Sequence, residues 1–161
     1  MTGCALPVAS PVVITSRRYS NEHSIQILDT FWTLSEPLAR VMRERQGFVE
    51  KRDCSVVALS IAAGIPYDVA HGICKGAGRQ NCQGMYFVEW ARTQTTICGY
   101  KVTVVNVPRI TLAQVIRDFP KGRLICRKKN HVFTVIDGVV HDYGTGNRSR
   151  IYQVIAFERT V

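Results

Sequence analysis

The chain contains 161 residues, of which 46% are hydrophobic and 20% are charged. This is the length of one ordinary domain with enough apolar side chains for a sizeable core, which argues against a disordered or fibrous protein. Lysine and arginine outnumber aspartate and glutamate by 21 to 12, an excess that fits an acidic partner without identifying one. No uncharged stretch reaches the roughly 18 residues of a membrane span, so we expect a cytoplasmic protein with no membrane partner.

The six cysteines form no CxxC pair and show no compact framework spacing, so we expect thiols rather than disulfides. The sequence divides into an N-terminal extension, residues 1–45, and a body, residues 46–161. The extension contains a strand-like run at residues 11–15, and a Ser-Glu-Pro sequence at residues 35–37 predicts a helix that ends at Gly47. The extension is interpreted as an arm that covers a cleft or binds a partner.

The front half of the body predicts three helices. The run Cys54–Ala63 is continuous and apolar, with Asp53 where a helix N-cap would lie and Gly64 where a helix would stop. We therefore expect a buried helix at this point. Two further helices are predicted over residues 67–75 and 84–93.

The back half of the body changes to the two-residue period of β-strands. The predicted strands cover residues 101–105, 123–127, 131–136, 139–142 and 151–157, with a short helix over residues 111–118. Asp137-Gly138 separates two of the strands and favours a tight hairpin, because both residues tolerate positive φ. Helices followed by antiparallel strands predict an α+β domain.

Cys54 is the first candidate for chemistry. Free N–H groups and the helix dipole at the start of a helix favour an anion, so a thiol there forms the nucleophilic thiolate more readily. Its position fits a second interpretation equally well, in which Cys54 is a small buried side chain beneath the helix start.

His131 and Asp142 are candidates to activate that thiol. His131 opens a predicted strand after a polar run, which puts it at the rim of the sheet. With Asp137-Gly138 as a two-residue turn, His131 and Asp142 lie diagonally opposite on one face, within reach of a hydrogen bond. His141 then points to the other face, and a register shift of one residue would exchange it with Asp142.

Together these residues predict a Cys-His-Asp triad in which the carboxylate fixes the tautomer of the imidazole. The oxyanion of an acyl intermediate also needs hydrogen-bond donors. We expect the backbone N–H of Cys54 to be one donor and the side-chain amide of Gln46, eight residues upstream, to be another. Asp53, or backbone groups alone, are the alternative to Gln46.

These residues resemble the papain-like cysteine peptidases in order, spacing and local setting. The resemblance is strongest to small papain-like proteins of bacteriophages and bacteria, and it rests on residues 52–67, Ala77-Gly78-Arg79, Asn130-His131 and Val140-His141-Asp142. It covers about residues 46–157. It implies a papain-like fold, in which the nucleophile helix packs on a C-terminal antiparallel sheet.

The resemblance also implies a protein or peptide substrate that is cleaved at a peptide or isopeptide bond. The resemblance implies that Cys54 is the nucleophile, His131 the base and Asp142 the acid. Gln46 lies further from the cysteine than the corresponding glutamine of papain.

Weaker patterns point to neither a metal nor a cofactor. His71, Cys74 and Cys82 match no standard zinc spacing. The glycines between residues 76 and 84 do not follow a strand and lack the Lys-Ser or Lys-Thr ending of a phosphate loop.

Basic residues form one cluster in the N-terminal third and another near His131, the latter comprising Arg127, Lys128, Lys129, Arg148 and Arg150. Such clusters are commonly solvated faces. They also fit acidic substrate residues beside a cleft or a nucleic-acid surface, so a nucleic-acid partner stays open. The competing hypothesis is a non-catalytic basic protein of papain-like fold that binds a host protein or a nucleic acid.

Overall fold

The computed structural model describes residues 34–160, so the strand predicted at residues 11–15 lies outside the described residues. Within this range the elements are α1 Glu36–Glu44, α2 Cys54–Ala63, α3 Tyr67–Gly76, α4 Phe87–Arg92, β1 Thr96–Ile97, β2 Tyr100–Thr111, α5 Leu112–Asp118, β3 Arg123–Lys128, β4 His131–Ile136, β5 Val139–His141 and β6 Arg150–Arg159. A 3-10 turn, Arg45–Gly47, follows α1.

The strands form one six-stranded sheet in the order β1-β2-β6-β3-β4-β5, and all neighbouring strands are antiparallel. Four helices precede the sheet along the chain. The predicted α+β class is therefore confirmed.

Two apolar cores cover the two faces of the sheet. The larger core joins α1 to α4 to side chains of the sheet such as Ile125 and Ile155. The smaller core packs Leu112 and Val115 of α5 against the other face, where Phe133 lies. Because both faces of the sheet are covered, the strands bury side chains on both faces.

Helix α2 lies in the larger core, and β3 and β4 hold it in place. The Thr134 hydroxyl donates to the Ala58 carbonyl at 2.8 Å in the middle of the helix. The Arg123 guanidinium donates to the carbonyls of Ile61 and Ala62 at 3.3 and 3.1 Å, which satisfies acceptors that the last turn of a helix leaves free. These bonds fix the position of α2, and hence of its first residue, relative to β4.

Helix α1 begins after Ser35 as predicted, but two details differ. The helix ends at Glu44 and only a 3-10 turn reaches Gly47. The Ser35 hydroxyl makes no capping bond, because it contacts Nδ1 of His141 at 2.7 Å. Leu38 and Val41 of α1 are buried in the larger core, so the predicted division between residues 45 and 46 is not an edge of the folded body.

The hairpin between β4 and β5 has the predicted register. Asp137 and Gly138 have φ values of 48° and 79°, as a tight turn of this kind requires. Val135 pairs with Val140, and Thr134 pairs with His141. The register that puts His131 and Asp142 on one face is therefore confirmed.

Two predicted elements have different lengths in the structure. Helix α4 covers only Phe87–Arg92, because the residues from Gly84 to Tyr86 are not helical. Strand β2 continues to Thr111, through an irregularity between Asn106 and Ile110 where Arg109 has a φ of 48°. This bulge interrupts the alternation of side chains that a sequence pattern can detect.

Within residues 34–160, no single helix is long and apolar enough to cross a membrane. Helices α2 and α3 reach the required length and composition only as a pair that is bent by 120°.

Candidate active site

Cys54 is the first residue of α2 and is partly buried. Asp53 occupies the N-cap position, but its carboxylate makes no capping bond. It accepts hydrogen bonds from the Arg45 guanidinium at 2.5 and 3.1 Å and from the Tyr67 hydroxyl at 2.7 Å. Asp53 therefore leaves the start of α2 uncapped.

His131 is the first residue of β4 and lies between Asp142 and Cys54. Its Nε2 lies 2.9 Å from Oδ1 and 3.0 Å from Oδ2 of Asp142, so that N–H donates to the carboxylate. The imidazole also lies near the Cys54 thiol, since each group shifts the pKa of the other. Since Nε2 faces the carboxylate, Nδ1 is the nitrogen left to exchange a proton with the sulfur.

Further contacts hold Asp142 and His131 in place. The Thr145 hydroxyl donates to Asp142, and the Lys128 ammonium donates to the Thr145 hydroxyl at 2.6 Å. The His131 ring stacks on Phe133, with centroids 6.1 Å apart and planes inclined by 16°. The imidazole is therefore oriented by a carboxylate at its edge and an aromatic ring at its face. Sequence reasoning missed Thr145, because it lies in a loop with no periodic pattern.

The pKa shifts in this group all favour an ion pair. Burial raises the pKa of the Cys54 thiol, but hydrogen bonds from the His131 side chain and the Val132 backbone N–H outweigh burial and leave it below its ordinary value. The hydrogen bond to Asp142, followed by that to Cys54, raises the pKa of His131 to about 9. Burial opposes ionisation of Asp142, but the bonds from His131 and Thr145 hold its pKa below the ordinary range.

The other described cysteines differ from Cys54. Burial raises the pKa of Cys74 and of Cys126 to about 12, and it also raises the pKa of the exposed Cys98. The Cys82 thiol donates to the Val49 carbonyl at 3.2 Å. All five cysteines within the described range are free thiols, and among Cys54, Cys74, Cys98 and Cys126 only Cys54 has a lowered pKa.

Two cavities meet at Cys54 and His131. The first has a volume of about 730 Å³, and its apolar wall consists of Leu38, Met42, Val57, Ala58 and Phe133. The second has a volume of about 660 Å³ and is lined by the loop and helix start at residues 83–89. Both cavities are open to solvent, so the sulfur and the imidazole are accessible from two sides.

The structure does not bring Gln46 to the other three predicted residues. Gln46 lies on the exposed 3-10 turn and lines neither cavity. The alternative, Asp53, is a carboxylate that accepts hydrogen bonds and so cannot stabilise an oxyanion. Asn130 is the amide side chain that lines both cavities, at a positive φ of 57°, and sequence reasoning gave it no role.

A buried ionic network lies behind the segment that leads to Cys54. The Glu50 carboxylate accepts bonds from Arg79 at 3.1 and 2.8 Å, from His71 at 2.7 Å and from the Cys82 backbone N–H at 2.7 Å. The hydrogen bond from Arg79 is the main reason that the pKa of Glu50 is lowered to about 2. Arg79 also donates to the Arg52 carbonyl at 3.3 Å.

Sequence reasoning missed this network because its members are far apart along the chain, with Arg79 lying 29 positions after Glu50. His71 and Cys82, which were weighed as metal ligands, both contact Glu50, while Cys74 is buried in the larger core. In the part of the chain that the structure describes, no three His, Cys, Asp or Glu side chains are arranged to hold a metal ion.

Comparisons with protein-family models, with curated proteins and with solved structures found no match to this chain.

Proposed function

We propose that the protein is a thiol hydrolase of the cysteine peptidase type, which uses Cys54, His131 and Asp142 to cleave a peptide or isopeptide bond. The observation that carries this proposal is the position of the His131 imidazole. Its Nε2 lies 2.9 Å from the Asp142 carboxylate, and the imidazole lines the same two cavities as the Cys54 thiol, whose pKa it lowers. Nucleophile, base and orienting acid in one accessible cleft are the parts that acyl transfer requires.

The fold that we propose is papain-like. The nucleophile is the first residue of a central helix, the base opens β4 and the acid directly follows the adjacent strand β5, which is close to the arrangement that the sequence resemblance implies. The bonds from Thr134 and Arg123 to α2 support it, because they hold the nucleophile helix against the strand that carries the base.

The reaction follows from the protonation states. His131 accepts the proton of the Cys54 thiol, and the sulfur attacks the carbonyl carbon of the substrate to form a C–S bond. The imidazolium then gives its proton to the leaving nitrogen as the C–N bond breaks, which leaves a thioester on Cys54. Water attacks the thioester with His131 as the base, releases the acid and restores the thiol. An amine in place of water would give acyl transfer from the same intermediate.

The oxyanion lies at the start of α2 in this proposal. The free N–H groups of the first turn and the dipole of the helix stabilise negative charge there. Asn130, which lines both cavities, replaces Gln46 as the candidate side-chain donor. The two cavities would accept the substrate on the two sides of the bond that is cleaved.

Site-resolved alkylation tests the activated thiol. We expect limiting iodoacetamide to label Cys54 before Cys98, and at a lower pH than an ordinary thiol requires, with peptide mass mapping as the readout. His131→Asn removes the base and should abolish the preference. His141→Asn is the matched control, because it replaces a histidine of the same hairpin that contacts Ser35 instead of the thiol.

Turnover of p-nitrophenyl acetate tests acyl transfer. We expect a burst of one p-nitrophenolate per chain, a thioester on Cys54 and slower hydrolysis, all of which Cys54→Ala should abolish. If Cys54 reacts no faster than Cys98 and forms no thioester, the hydrolase proposal fails. The non-catalytic basic binding protein then becomes the better hypothesis.

A further inference from the structure

Arg52 combines three properties that no other cation of residues 34–160 combines. It lines both cavities together with Cys54 and His131. It is exposed, and its guanidinium makes no hydrogen bond or ion pair with any residue in the described range. It is also separated from Cys54 by one residue, so its side chain starts next to the nucleophile.

The backbone of Arg52 is held from both sides. Its carbonyl accepts a hydrogen bond from Arg79 at 3.3 Å, and Arg79 is itself held by the buried Glu50. The next residue, Asp53, is held by Arg45 and Tyr67. The backbone of Arg52 is therefore already ordered. Binding of a ligand to the guanidinium then costs only the conformational entropy of the side chain.

The charges around the first cavity favour an anion. The two carboxylates that line it are already compensated, since Asp53 pairs with Arg45 and Asp142 pairs with His131. Lys51 lines the same cavity and is exposed. The second cavity is lined by Glu89 as well as by Arg52 and Arg127, and the Arg127 guanidinium already donates to Gln153 at 2.7 Å. In the first cavity an acidic group therefore meets two exposed cations, Arg52 and Lys51.

We propose that Arg52 is a specificity residue that binds an acidic side chain of the substrate in the first cavity, next to the bond that Cys54 attacks. The proposal rests on the proposed function and names a substrate class for it. Guanidinium binds carboxylate in a two-pronged geometry, so the interaction selects an acidic residue over its amide.

A pair of alkylating reagents tests this proposal without a known substrate. N-iodoacetyl-glutamate amide and N-iodoacetyl-glutamine amide have nearly the same shape and differ in one charge. We measure the rate at which each labels Cys54 in the full chain, and we take the ratio of the two rates. We expect Arg52→Gln to lower this ratio about two- to fivefold, which is the range of a solvent-accessible ion pair.

Matched variants isolate the contribution of Arg52 from those of His131 and the helix dipole, which also favour an anion. Arg159→Gln removes the same charge from an exposed position at the end of β6 and should leave the ratio unchanged. Arg52→Lys keeps the charge and should retain most of the ratio. Added salt should lower the ratio in the unmodified chain and have little effect in Arg52→Gln.

The outcomes separate the two proposals. If both reagents label Cys54 selectively and the ratio does not depend on Arg52, the specificity proposal is overturned and the hydrolase proposal stands. If neither reagent labels Cys54 faster than Cys98, the hydrolase proposal fails and the specificity proposal fails with it.

Discussion

Residues 34–160 contain two carboxylate–histidine pairs that differ in what surrounds them. Glu50 and His71 are 2.7 Å apart, with side chains that are 2% and 12% exposed. Asp142 and His131 are 2.9 Å apart, and their side chains are 9% and 30% exposed. Other protein groups surround the first pair, whereas one side of the second pair faces the cleft.

The difference lies in the partner that neutralises the carboxylate. Arg79 binds both oxygens of Glu50, and His71 packs against the rings of Phe48 and Tyr67 at 5.0 and 6.1 Å. Asp142 has no arginine, so the imidazolium of His131 is its counter-ion and the pKa of His131 rises to about 9. The same kind of pair therefore supports the fold in one place and, in the proposed function, activates a thiol in the other.

The largest expected effect is on stability, and it follows from removing Arg79. Arg79→Leu leaves Glu50 buried without its counter-ion, and breaking such a pair costs about 3 to 5 kcal/mol of the free energy of unfolding. Asp142→Asn should cost less, about 1 to 2 kcal/mol at pH 6, because the imidazolium loses its carboxylate partner but the cleft is open to water. Urea denaturation of both variants measures the difference. Equal losses would remove the distinction between a supporting pair and an active one.

The two pairs should also respond to pH in opposite directions. The pKa of Glu50 is lowered from 4.5 to about 2, so its network stabilises the folded state above pH 4.5 and that stabilisation is lost as the pH falls toward 2. The pKa of His131 is raised from 6.5 to about 9, so its pair stabilises the folded state below pH 6.5 and that stabilisation is lost as the pH rises through 9. Urea midpoints measured from pH 3 to 10 should show that Asp142→Asn differs from the unmodified chain at pH 6 and converges with it at pH 10. A constant difference would contradict the raised pKa.

The protonation of His131 can be followed directly by NMR of the imidazole C–H resonances. We expect a midpoint near 9 in the unmodified chain and a lower midpoint in Asp142→Asn, because the bond to Asp142 contributes most to the raised pKa. Cys54→Ala should lower the midpoint by less. His131→Asn identifies the resonance, and an unchanged midpoint in Asp142→Asn would show that Asp142 does not support the imidazolium.

The smallest effects concern two glycines, one in the turn of the hairpin that carries His131 and one next to His71 in α3. Gly138 has a φ of 79°, and an added Cβ would lie 3.4 Å from Ile116, so Gly138→Ala should destabilise the hairpin by about 1 to 2 kcal/mol. Gly72 follows His71 in α3 and has open space around it, so Gly72→Ala should stabilise the helix by about 0.5 to 1 kcal/mol. Urea midpoints measure both changes. Of these two variants, only Gly138→Ala should slow the alkylation of Cys54. Slowing in Gly72→Ala would contradict the conclusion that the Glu50–His71 pair does not act on the thiol.

Much of the fold could be predicted because its signals are local. Thr111 and Gln114 form a capping box at the start of α5, and Gly64 ends α2 with a φ of 68°. The Asp137-Gly138 turn fixed the register from which Asp142, and not His141, was predicted to face His131. Cys54 could be chosen because a helix start has a recognisable pattern.

The remaining features depend on contacts between distant residues, which no local pattern contains. The Ser35 hydroxyl had the position of a cap but bonds His141, 106 residues away. Asp53 likewise had the position of a cap but bonds Arg45 and Tyr67. Gln46 was chosen for its distance along the sequence, and the 3-10 turn exposes it. In each case a tertiary contact replaced the local role of the residue.

The position of β6 has a consequence for the order of folding. This strand pairs with β2 on one side and with β3 on the other, so it joins the two parts of the sheet. A growing chain that has not yet added residues 150–159 holds the base and the acid on a β3-β4-β5 unit with no strand link to β2. The sheet can close only when those residues arrive, and pairing between distant segments of this kind is slow. The β3-β4-β5 unit that carries His131 is therefore expected to join β2 late in folding, after both parts of the sheet have been synthesised.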